Sequence, residues 1–137
     1  MKQLRVSLLC ISAALLSAPL HALEVWHSNT VWAGQGQCAA VFSFDSDLQD
    51  VSELRLSVSG LNPAGETILS GELEIHQFGQ SSADRYAEAY LEGEALCSSD
   101  LVIQVEQATA LLNGKPTDLL ATQALRVLDF KPLKIQL

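Results

Sequence analysis

From Leu23 onward the chain alternates apolar and polar residues in short runs, with turn-forming residues between the runs. A period of two places successive side chains on opposite faces of an extended strand, so this patterning predicts pleated sheet rather than helix. The clearest run is Val51 to Ser59, where Leu54, Leu56 and Val58 point one way and Glu53, Arg55, Ser57 and Ser59 the other.

Other runs follow the same rule. Leu23 to Ala33 puts Trp26, Ser28, Thr30 and Trp32 on one face and Val25, His27, Asn29 and Val31 on the other. After Gly34-Gln35-Gly36, the run Cys38 to Phe44 aligns Cys38, Ala40, Phe42 and Phe44 inward. Thr67 to Phe78 turns Leu73 and Ile75 inward and Glu72, Glu74 and His76 outward, with Gly71 marking a bulge or bend. Leu101, Ile103 and Val105 form a core face, Asn113-Gly114 signals a hairpin, and Leu133 to Leu137 ends the chain as a strand. Two stretches are ambiguous. Arg85 to Leu91 faces either its alanines and Leu91 or its tyrosines inward, and a short helix also fits it. Leu119 to Leu128 reads as strand in preference to helix. Asp45-Ser46-Asp47, Asn62 to Gly65 and Gln80 to Ala83 are turns. Seven or eight strands at this spacing predict an all-β sandwich of immunoglobulin or fibronectin type III kind rather than a closed barrel. The first strand and the last could both be sheet edges, and exposed edges invite pairing with another chain.

The first 22 residues do not belong to that domain. Lys2 and Arg5 precede the apolar run Val6 to Leu16, and Ser17 to Ala22 supplies a small-residue end. This is the pattern of a secretory leader, cut after Ala22. The apolar stretch is shorter than the roughly 20 residues of a membrane span. Cys10 fills the apolar part of the leader. The domain is then residues 23–137, 115 of the 137 in the chain, exported through the periplasm and secreted. Cys38 and Cys97 remain, and in an oxidising compartment an even pair most simply forms one bridge. The alternatives are a metal pair, which lacks two further ligands, or a redox dithiol, which needs C-x-x-C spacing.

Lys2 and Arg5 leave with the leader, so the eight basic residues fall to six against sixteen acidic ones, a net charge of −10. Such a surface repels nucleic acid and anionic lipid. A basic protein partner is compatible with it, although solubility alone would explain it.

Catalytic patterns are weak. Asp45-x-Asp47-x-x-Asp50 resembles the start of a calcium loop but has Asp50 and Leu56 where that loop needs glycine and glutamate. His27 and His76 could meet at a metal only if the fold brought them together. Glu88, Glu92 and Glu94 read as a solvated rim rather than a glycosidase pair, and no serine sits in a G-x-S-x-G turn. The expectation is no enzyme, no cofactor and no metal. Trp26 and Trp32 are the candidate protein-binding anchors, since tryptophan is enriched at interface hot spots, although a sandwich tryptophan is more often core.

Trp26 to Gly36 and Cys38, followed by Val41-Phe42-Ser43-Phe44 and later Cys97, on a chain of this length, resemble the interleukin receptor mimic protein A family of pathogenic Escherichia coli. The likeness covers the whole chain. It implies a fibronectin type III-like sandwich, a homodimer made by exchanging a strand, and binding to a host protein such as a cytokine. It carries over no binding residues. The disulfide departs from ordinary fibronectin type III modules. A periplasmic or surface adhesin, or a fibre-assembly factor using exposed sheet edges, is the competing expectation.

Overall fold

A computed structural model of the protein describes residues 22–137. Residues 1–21 of the expected leader, Cys10 among them, lie outside the described residues. The described chain forms nine strands and two short 3-10 turns: β1 Leu23–Gly34, β2 Gln37–Asp45, β3 Val51–Leu61, β4 Thr67–Phe78, β5 Tyr86–Gly93, β6 Val102–Leu112, β7 Lys115–Asp118, β8 Leu125–Val127 and β9 Lys134–Gln136. The 3-10 turns are Ser82–Asp84 and Glu94–Cys97.

The strands make two sheets. One has the order β5-β2-β1-β8; the other has β4-β3-β6-β7, with β9 also on β6. Three hairpins, β1–β2, β3–β4 and β6–β7, are joined by connections that pass from sheet to sheet, as in the fibronectin type III and immunoglobulin sandwiches. The inward faces meet in one core. Phe42 and Phe44 from β2, Leu54 and Leu56 from β3, and Ile103 from β6 are at most 2% exposed. Burying each such side chain stabilises the fold by about 1.5–3 kcal/mol.

Local chemistry sets the ends. Asn113 (φ 52°) and Gly114 (φ 79°) both take the left-handed conformation that a two-residue β6–β7 hairpin needs. Asn62 Oδ1 accepts from the backbone N–H groups of Ala64 and Glu66 and closes the β3–β4 turn.

Several expectations change. Gly71 marks a close approach rather than a bulge: no register shift occurs there, and a Cβ on it would lie 2.8 Å from Leu91 Cδ2. This is where edge strand β4 of one sheet meets edge strand β5 of the other. One of the register shifts in β3 lies at Glu53, whose φ is +50°, so Val51 and Leu54 both point inward. Leu119 to Leu128 is mostly turn, and only Leu125–Val127 is strand. That stretch alternates poorly, and Asp118 ties its start by accepting from the Leu120 and Ala121 N–H groups. Of Arg85 to Leu91, all but Arg85 resolves as strand, with Ala89 and Leu91 buried and both tyrosines exposed. β1 is an edge only in part, because β8 pairs in parallel with Leu23 to Val25 and leaves the rest of that side open. β9 is an edge, held in parallel against Val102 to Gln104.

Candidate functional site

Cys38 and Cys97 are bridged, with Cα atoms 5.2 Å apart and 59 positions between them in sequence. The bond ties the start of β2 to the 3-10 turn that leads into β6, so it fastens the loops at one end of the sandwich.

The two tryptophans do not share a face. A bulge between His27 and Asn29 shifts the β1 register. Before it, Trp26 pairs with Ser43 and points outward; after it, Trp32 pairs with Cys38, a residue of the inward row. Trp32 lies past the end of the core and is 69% exposed. Plain alternation could not reveal the flip, because no glycine or proline marks the bulge.

Trp26 is half-buried and central on the outer face of the first sheet. Tyr86 meets it edge-on at 6.4 Å and Phe130 at 5.9 Å. Such pairs each contribute about 0.5–1.5 kcal/mol beyond area burial and hold the indole in one orientation. Tyr90 stands on the same face, because Val41 pairs with it across β2 and β5. Of the eight aromatic residues in the chain, Phe42, Phe44 and Phe78 are core, and four of the other five gather on this face. Phe130 was missed in the sequence because it follows β8 in an irregular segment, with no period to place it.

One rim of the face is built by a buried carboxylate. Asp45 is 6% exposed and accepts from Arg85 Nε (2.8 Å) and Nη2 (3.1 Å) and from the Asp47 N–H (2.9 Å). Burial alone would raise its pKa, but the bonds from Arg85 and Asp47 outweigh that and hold it below the usual carboxylate range. Arg85 also lies 5.5 Å above the Tyr86 ring and so fixes one of the aromatic neighbours of Trp26. The Asp45 to Asp50 stretch is thus a turn whose first carboxylate is committed to an arginine.

The two histidines among the described residues are apart. His27 is 3% exposed and packs on Phe42, while His76 is exposed on β4 with its Nδ1 2.8 Å from Glu53 Oε1. His27 Nε2 is 2.7 Å from Thr30 Oγ1. Burial lowers the His27 pKa, the Asn29 backbone opposes this, and the Lys131 charge adds to the lowering. Glu88 and Glu92 are exposed on β5 and Glu94 is exposed in the 3-10 turn. No described helix is long and apolar enough to cross a membrane.

The model of a family described as interleukin receptor mimic protein A matches residues 23–127. A solved structure of IrmA from Escherichia coli is similar to this chain, with 25% sequence identity and a TM-score of 0.64, covering 85% of this chain and 98% of that one. No curated protein matches the chain.

Proposed function

The chain belongs to the interleukin receptor mimic protein A family, and on that premise we propose that it is an exported protein-binding module that engages host interleukins as their receptors do. The observation that carries this reading is a fibronectin type III-like sandwich with an unpartnered aromatic face, which is the equipment of a binder rather than of a catalyst. Residues 1–22 act as the leader and residues 23–137 as the exported domain. Trp26 is an interface anchor on the sheet face and Trp32 a second anchor at the end of β1. Two copies associate by exchanging a strand, which the short edge strands β8 and β9 favour, since each adds only three residues to a ladder.

Surface plasmon resonance of the disulfide-intact exported form against immobilised recombinant interleukins tests the function. Saturable binding is expected, and a folded sample that binds none at tens of micromolar would refute it. Light scattering reads the dimer, and intact mass of the secreted form reads the cut after Ala22.

The open side of β1 beyond Val25 favours a second reading, a fibre-assembly factor that accepts another protein's strand. Retention in the periplasm, with none in the culture medium, would favour that reading over the first.

A further inference from the structure

We infer that the partner docks on the outer face of β5, β2 and β1, and that it presents lysine or arginine side chains against Glu88 and Glu92 beside an apolar group against Trp26 and Phe130. This rests on the binding-module reading above and adds to it a place and a partner chemistry.

The two outer faces of the sandwich differ. On the β4-β3-β6 face Arg55 lies 3.1 Å from Glu74 and 4.0 Å from Glu72 and Glu53 holds His76, while Glu106 is exposed with no cation paired to it among the described residues. None of the eight aromatic residues points out from that sheet. On the other face Arg85 is taken by Asp45, and Arg126 stands in register beside Glu24. Glu88 and Glu92 are exposed, and no cation among the described residues pairs with either. They flank Tyr90 at the alternate positions of one strand, so all three project from the same side of β5.

Tyr90 is 63% exposed, and beside it lies a hollow of about 400 Å³ that Glu72, Glu74 and Glu88 also line. A cationic side chain entering there meets a ring face and a carboxylate together, two contacts that reinforce one another. Ten to fifteen ångströms across the sheet, at the roughly 4.8 Å strand spacing, Trp26 and Phe130 offer the apolar half of the same surface. Charged contacts at a rim steer approach while a central aromatic anchor supplies affinity. The occupant this combination fits is a folded protein surface with a basic edge and an apolar centre.

Two charge-matched variants test the placement. Glu88→Lys with Glu92→Lys changes the face; Glu66→Lys with Glu106→Lys changes net charge equally at exposed positions of the β3–β4 turn and of the opposite sheet. Against an interleukin that binds the wild type, the first pair should weaken binding tenfold or more and flatten its salt dependence. The second should stay within twofold. Equal losses in both pairs, or none in the first, would overturn the placement. Independently, a 15-residue peptide alternating arginine and leucine, titrated into isotope-labelled protein, should shift the Trp26 indole and the β5 amides. Shifts confined to the β3–β4 face, or no shifts, would count against it. If no interleukin binds, the receptor-mimic reading fails alone, and the peptide map decides the face.

Discussion

Cutting the Cys38–Cys97 bond should destabilise the domain by about 4 kcal/mol. The cross-link joins positions 59 apart and encloses β3, β4, β5 and both 3-10 turns, so one bond limits the unfolded excursions of strands from both sheets. Closing a loop of that length removes about 14 cal/mol/K of denatured-state entropy, which is about 4 kcal/mol at 25 °C. For a domain of this size that lowers the melting temperature by about 15 °C. The origin lies mainly in the unfolded chain, which expands when released, so the guanidinium m-value should rise as the midpoint falls. Two perturbations separate the cross-link from the loss of sulfur. Cys38→Ala with Cys97→Ala removes both sulfurs, including the buried one at position 38, while a phosphine reductant reaches the wild-type bond through exposed Cys97 and leaves the side chains in place. Both samples are unfolded in guanidinium and followed by circular dichroism. A loss below 1 kcal/mol, or an unchanged m-value, would refute the entropic account and leave the bond as a local clamp on the loop.

Other outcomes follow from single residues. His27 has a folded pKa below 6.5, so the unfolded chain takes up a proton that the folded one refuses. Stability is fully present above pH 6.5 and is lost as pH falls from there through the lowered folded value. Denaturation midpoints at pH 7.5 and 5.5 should show this, and in His27→Gln the difference should shrink. Gly79 has φ +92°, and a Cβ there would sit 2.0 Å from the Gln49 carbonyl oxygen, so Gly79→Ala should cost about 3 kcal/mol or more in urea unfolding. Gly34→Ala, at φ +89° with open space around it, should cost only about 1 kcal/mol, and equal losses would show that backbone strain rather than the clash decides. Asn113→Ala strains the hairpin and frees the Asp50 N–H that the asparagine accepts, for an expected loss of about 1–2 kcal/mol by the same assay.

The sandwich was legible because most strands keep an unbroken period: in β2 every inward residue from Cys38 to Phe44 is where alternation puts it. Legibility failed wherever the ladder adds a residue. The bulge in β1 moves Trp32 to the opposite face from Trp26, and the one at Glu53 lets Val51 and Leu54 share a side, with no glycine at either place. The three residues of β8 are too few for a period to show, and while the alternating end Leu133 to Leu137 does show β9, the parallel pairings of both depend on partners about a hundred and about thirty positions away. The site was half visible. Trp26 could be named as a candidate anchor, but its neighbours Tyr86 and Phe130 come from distant segments that only the folded sheets bring together. The Asp45–Arg85 pair, 40 positions apart, had no local signal either.

The aromatic arrangement also decides what light can report. Both indoles stand outside the close-packed interior, one held edge-on by Tyr86 and Phe130 and the other exposed near the β1–β2 turn. Intrinsic emission excited at the tryptophan band therefore watches the exterior of one sheet and the tip of one hairpin. A visitor to that exterior would shield Trp26 from an aqueous quencher, and a Trp32→Phe variant leaves that indole as a built-in, single-site optical probe of docking.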